Sequence, residues 1–199
     1  MVPLFPLPNV WLFPFVLLPL HVFEERYKRM IEESLDGPGR LVIGTVQIGH
    51  EHELAGSPPI YPIAGLGEIG RHERLPDGRF NILLMGLQRV RVCEAPSDRP
   101  YRRVEIETAE EIHTAPERDE ELREKLVRSI QERTQNSPTF PPGVPISRLA
   151  DLLILGMPLP HEILNRLYCE LDTSSRADLA LAEHAVRPRV PRPPGTAPV

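Results

Sequence analysis

Several side chains in this 199-residue chain are of types and spacings that bear on chemistry. The loop GHEHE places His50 and His52 two apart, each flanked by a carboxylate. Such a pair holds a divalent transition metal weakly if the imidazoles converge. A built zinc site needs three or four closed ligands, so a polar loop tip with adventitious affinity is the favoured account. Seven histidines are spread along the chain, and His21, in PLHVF, reads as structural. Cys93 and Cys169 lie far apart with no CxxC pair, and they read as reduced, buried thiols. There is no GxSxG and no GxxxxGK[ST], and Ser57, Ser97 and Ser137 each sit beside turn residues. The parts that a nucleophilic, acid–base or phosphate-binding site requires are not assembled. No catalytic residue, metal or organic cofactor is expected.

Binding chemistry is better supplied. Arg71, Arg74, Arg79, Arg89, Arg91, Arg102 and Arg103 fall in one strand-rich region. Arg89 and Arg91 share a face by the two-residue period, and with Arg71 and Arg74 they form a candidate nucleic-acid face. Against it, Glu68, Glu73, Asp77, Glu94, Glu105 and Glu107 are interleaved with them, as in a surface of cross-strand ion pairs. The net charge of -5 also disfavours a polyanion in bulk. The second candidate is apolar. Phe5, Trp11, Phe13, Phe15 and Phe23, five of the eleven aromatic residues, lie in the first 23 positions. Trp11, Phe13 and Phe15 share one parity and would point the same way from a regular strand. If exposed, these three are the expected peptide-binding residues; the plainer account is that all are core.

The elements that must position these residues follow from period and punctuation. No charged residue precedes Glu24, yet Pro3, Pro6, Pro8, Pro14 and Pro19 interrupt the run. A membrane helix of about 20 residues does not tolerate five prolines at roughly 3 kcal/mol each. The basic n-region of an export signal is also missing. The stretch therefore reads as extended strands with prolines at ends and bends, in a cytoplasmic protein with no membrane contact. Phe23, Tyr27, Met30 and Ile31 mark one amphipathic helix over about 24–35, stopped by DGPG. LVIGTVQI reads as a buried strand, and IYPIAGLGEIGRHERL as a long strand bent at Gly65, Gly67 and Gly70. Pro76-Asp77-Gly78 turns it back into RFNILLMG and LQRVRVCE, with Val90 and Val92 facing in and Arg89 and Arg91 facing out. YRRVEIETAEEI alternates in the same way. Six or seven short strands with one helix suggest a small, partly open β-barrel over 1–112.

After about residue 113 the period becomes helical. Thr114 with Glu117 fits a capping box, and Leu122, Leu126 and Ile130 line one stripe. Ser147 is placed to cap a helix through LADLLILG, Leu164, Leu167, Tyr168 and Leu171 mark another, and SSRADLALAEHAV a last one. Residues 113–187 thus read as a helical bundle. The proline-rich tail 188–199 has no periodicity and is expected to be disordered.

Three ordered blocks resemble the N-terminal domain of Lon proteases. FPLPNVWLFPFVLLPLHVFEERY is similar to that family's F-P-L-x-x-x-V-L-F-P-G-x-x-x-P-L-x-I-F-E-x-R-Y opening, through Phe5, Pro6, Leu7, Phe13, Pro14, Pro19, Leu20, Phe23, Glu24, Arg26 and Tyr27. RLPDGRFNILLMGLQRVRV resembles its D-G-x-x-x-I-L-L-x-G-L-x-R-x-R-I segment. SRLADLLILGMPLPHEILNRLYCELDTSSRADLALAEHA resembles its helical half through Leu149, Ala150, Asp151, Leu159 and Leu171. The resemblance implies an α+β protein, a PUA-like β-barrel followed by a helical bundle, in a free-standing form without the ATPase and Ser–Lys peptidase domains. It implies binding of unfolded or tagged polypeptides without catalysis, as an adaptor or accessory in bacterial protein quality control, with full-length Lon protease as a partner. Because PUA-like barrels elsewhere bind RNA, RNA or another ligand on the arginine-bearing sheet is the alternative. One position departs from the family: where glycine usually follows Phe-Pro, this chain has Phe15, which alters the turn or presents an aromatic there.

Overall fold

The computed structural model describes residues 1–113, 115–134 and 138–187. Two compact units result, residues 1–109 and the chain from Glu110 onward. The first is built from β1 (Val2–Leu7), β2 (Leu17–Val22), α1 (Glu25–Leu35), β3 (Arg40–Thr45), β4 (Ile63–Arg74), β5 (Phe80–Ala95) and β6 (Arg103–Thr108). These strands form one six-stranded sheet in the order β2-β5-β4-β3-β1-β6, in which β5 also pairs with β6. The length of β5 makes this possible. Its first half, Phe80 to Met85, pairs with β2 and its second, Val90 to Ala95, with β6. Five strands therefore pair in a ring, and β2 lies outside it as an edge. β1 and β3 are parallel; the other pairs are antiparallel.

Local chemistry sets the joints. The β4–β5 hairpin closes where Leu75 N–H donates to the Arg79 carbonyl at 2.8 Å, with Gly78 at φ +81°. Register shifts interrupt that pairing at Leu66/Gly67 and Ile69/Arg71, next to Gly67 and at Gly70, where absent side chains let the strand bend. α1 buries Tyr27, Met30, Ile31 and Ser34. It stops at Asp36, and Gly39, at φ +69°, donates to the Ser34 carbonyl at 2.9 Å. Alternate residues of β1 and β3 enter two cores. Phe5, Leu41 and Ile43 join the core that includes α1, Val22, Phe80, Ile82 and Leu84. Leu4 and Val42 join Ala64, Leu66, Val90 and Val104.

The second unit is helical: α2 (Asp119–Gln131), α3 (Ile146–Leu155), α4 (His161–Cys169) and α5 (Thr173–Val186). Leu122, Leu126 and Ile130 of α2 are buried, as their spacing implies, and α3 and α5 pack on it and on each other. At the centre is a fully buried cation. Arg176 donates to the Glu170 carbonyl at 2.7 Å, sits 3.2 Å from the Asp151 carboxylate and pairs with Glu111. Asp172 caps α5 by accepting from Ser175 N–H at 2.8 Å.

Several sequence expectations need correction. Arg89 is buried rather than facing out with Arg91. Cys93 is exposed and Cys169 half-buried. Ser147 lies inside α3, whose cap position is Pro145. Pro19 is in the middle of a strand, not at its end. Thr114, Ser137 and the tail 188–199 lie outside the described residues. Among the described residues, no helix is long and apolar enough to cross a membrane.

Candidate functional site

The site begins where the chain leaves β1 and doubles back into β2. Residues 8–16 are not a strand, so the parity that would align Trp11, Phe13 and Phe15 does not apply. Asn9 and Phe15 have φ of +56° and +63°, and these left-handed residues reverse the chain around a buried centre. Trp11, Leu12 and Phe13 enter the core, Phe13 at 1% exposure, whereas Phe15 is 64% exposed. The segment lies against Gly86. Phe15 N–H donates to the Gly86 carbonyl at 2.7 Å, and Gly86 N–H donates to the Val16 carbonyl at 2.9 Å. A Cβ on Gly86 would collide with the Phe13 carbonyl oxygen, so this contact requires glycine. The buried Arg89 guanidinium sits 5.2 Å from the Phe13 ring centroid, a cation–π contact strengthened by desolvation.

Phe15 is thus an aromatic ring held outward by a backbone conformation that L-residues avoid at a cost of about 1–2 kcal/mol. Neither core packing nor backbone preference accounts for phenylalanine there. Around it lies a graded surface. Register places Leu17 beside Met85 and then Glu68, Pro19 beside Leu83 and then Arg71, and His21 beside Asn81 and then Glu73. Leu18, Val22, Phe80, Ile82 and Leu84 alternate to the buried side. Phe15, Leu17, Pro19, Leu83 and Met85 therefore make an apolar strip at the β2 edge, which becomes polar toward β4. At its far end the exposed Phe23 ring stacks on His21 at 6.2 Å.

The outer edge of β2 is modified as well. Gly86 bonds toward the Phe15–Val16 step, and an antiparallel ladder alternates, so Leu18 and Leu20 face β5 while Leu17, Pro19 and His21 face the open edge. Proline offers no N–H there. It removes one of the three donors that an added strand would use, a common protection of sheet edges.

The four arginines of the alternative face do not converge. Arg89 is buried on Phe13. Arg71 and Arg74 pair with Leu83 and Phe80, whose side chains lie on opposite faces, and Arg74 is held by Glu32 at 3.0 Å. Among the described residues, Arg71 and Arg91 are exposed and have no carboxylate partner, and they lie on different parts of the sheet. His50 and His52 both lie near one carboxylate, Glu53, at 2.8 and 3.6 Å. Among the described residues no three His, Cys, Asp or Glu side chains gather as metal ligands would.

Two clefts flank Tyr101, of 290 and 390 Å³. Their charged walls are occupied by internal bonds. Arg26 donates to the Leu54 carbonyl at 2.6 Å, Arg102 to that of Pro58 at 2.7 Å, and Arg99 to Glu33 at 3.2 Å. Tyr101 Oη donates to Glu33 at 2.5 Å. Burial, with the adjoining carboxylate, pushes the Tyr101 phenol up to about 12. The hydrogen bonds from Tyr101 and Arg29 hold the Glu33 carboxyl below the usual range. These groups tie α1 to the start of β6 and leave little for a ligand.

Comparison with known proteins agrees with this arrangement. Residues 1–183 match the family described as the ATP-dependent protease La (LON) substrate-binding domain. The Lon protease of Trichlorobacter lovleyi is 28% identical over 183 residues, which is 90% of this chain and 20% of that protein. The Lon protease of Dictyoglomus thermophilum is 30% identical over 159 residues, 76% of this chain and 20% of that protein. The chain thus spans about a fifth of the length of these relatives. Among solved structures, the N-terminal domain of Mycobacterium avium complex Lon protease superposes with a TM-score of 0.67 at 16% identity, covering 93% of this chain and 98% of that one. The Lon N-terminal domain protein from Xanthomonas campestris gives 0.65 at 21%, covering 91% and 96%. At these identities the structural likeness speaks for the fold.

Proposed function

This chain belongs to the ATP-dependent protease La (LON) substrate-binding domain family, and we propose that it binds unfolded or tagged polypeptides through the apolar strip headed by Phe15. It does so without catalysis, as a cytoplasmic adaptor or accessory in protein quality control, with full-length Lon protease as its partner. The ring of five strands is read as the PUA-like barrel of that family.

The observation that carries this reading is Phe15. At φ +63° the position favours glycine, the family's usual residue, yet it bears an exposed aromatic beside Leu17 and Met85. An apolar surface of this kind binds side chains of unfolded segments, and the Pro19 interruption favours side-chain contact over strand addition. RNA binding on Arg71, Arg74, Arg89 and Arg91 is the lesser reading, because one of the four is buried and another is paired.

Fluorescence anisotropy with a labelled unfolded polypeptide and a mixed single-stranded RNA, each at low and moderate salt, tests this directly. The polypeptide should bind with little salt dependence. RNA binding that collapses with salt, in the absence of polypeptide binding, would replace the proposal with the arginine reading.

A further inference from the structure

The apolar strip has one charged side chain at its border with no partner of its own. In the middle row, Pro19, Leu83 and Arg71 stand side by side on three adjacent strands and share the outer face. Every other charged or titratable side chain of that grid is engaged. Glu68 is held by Arg40 at 3.0 Å, Glu73 accepts from Asn81 at 3.2 Å, and His21 bonds to the same Asn81 at 2.8 Å. At the hairpin tip Arg79 is paired with Asp77 at 2.6 Å. Arg71 is exposed, and among the described residues its side chain has neither a hydrogen-bond nor an ion-pair partner.

Resting on the polypeptide-binding reading, we propose that Arg71 sets a sequence preference: this surface selects extended segments in which an aspartate or glutamate side chain follows an apolar anchor by about three residues. The spacing comes from the sheet. Adjacent strands are about 4.8 Å apart and an extended chain advances about 3.3 Å per residue. A segment crossing from the Pro19 edge to Arg71 therefore covers two strand spacings in about three residues. Its apolar residue rests on the strip beside Pro19, and its carboxylate meets the Arg71 guanidinium. Arginine suits this task because its planar fork accepts a carboxylate in two parallel hydrogen bonds. With the Pro19 donor missing from the β2 edge, backbone pairing contributes less and side chains carry more of the selection.

Two short labelled peptides provide the test, identical but for Asp or Asn three residues after a Leu-Phe anchor, titrated against the wild-type protein and Arg71→Gln. Wild type should bind the Asp peptide about two- to five-fold more tightly at low salt, the range of exposed ion pairs. Arg71→Gln should bind both peptides with the wild-type affinity for the Asn peptide. Equal binding of both peptides by wild type, or a preference that survives Arg71→Gln, overturns the inference and leaves the apolar reading standing. Failure of wild type to bind either peptide removes both.

Discussion

The two halves of one apolar stretch, Trp11–Phe13 and Phe15–Leu17, are alike in composition and opposite in environment. The first is core: Phe13 lies between Gly86 and the buried Arg89, and Leu12 joins the main cluster. The second faces water beside Met85. What separates them is a turn at Pro14–Phe15 with one left-handed residue. Composition alone therefore does not assign an apolar run to core or surface. Backbone conformation does, and a residue that occupies a costly conformation in order to be exposed is the better candidate for function.

Substitutions should separate the halves. The largest effect belongs to the buried side. Phe13→Ala should cost about 3–5 kcal/mol, seen as a lower denaturation midpoint with an unchanged denaturant slope, because it opens a cavity and strips Arg89 of its ring. A midpoint within experimental error of wild type would erase the distinction between the halves. On the exposed side, a Leu17→Ser, Met85→Ser double variant should weaken unfolded-polypeptide binding about ten-fold while the midpoint stays close to wild type. That combination follows from removing apolar contact area where no core is built. Smaller still, Phe15→Gly should raise stability by about 1 kcal/mol by relieving the left-handed strain, a rise of a few degrees in Tm for a protein of this size.

The smallest effect is a pH dependence that lies away from both halves and serves as their control. The Glu33 carboxyl is lowered by its hydrogen bonds from Tyr101 and then Arg29. Its contribution is present above the unfolded carboxyl range, about 4.3, and is lost as pH falls through the lower folded value. The Tyr101 phenol is raised to about 12, so its contribution is present below the unfolded value near 10 and lost as pH rises through about 12. Tyr101→Phe should flatten both limbs of a Tm–pH profile and leave polypeptide binding unchanged. An unaltered profile would show that the Tyr101–Glu33 bond does not contribute.

Much of the fold was legible in the residues. The 24–35 helix, the Pro76-Asp77-Gly78 hairpin and the stripe of Leu122, Leu126 and Ile130 each carry a local signal that tertiary context did not override. The bends at Gly67 and Gly70 were legible for the same reason. The site was only partly so. Parity with Trp11 and Phe13 points to Phe15, but parity requires a regular strand, and the chain reverses at Asn9 and Phe15 instead. The glycine usual at position 15 in the family was the better clue, since it marks a left-handed backbone. Leu17, Pro19, Leu83 and Met85 were available in the alternation of LLPLHV and FNILLM, which separates a buried from an exposed set only once β2 is known to be an edge. Strict alternation puts Arg89 on the outer face because it does not foresee a cation buried over an aromatic ring.

The central claim is that Phe15 is exposed for binding at the expense of stability. It is tested most directly by measuring thermal stability and unfolded-polypeptide affinity on the same preparation of Phe15→Gly. The expected result is a Tm higher by a few degrees together with affinity reduced several-fold. A glycine variant that binds the polypeptide as tightly as wild type, whatever its Tm, would contradict it.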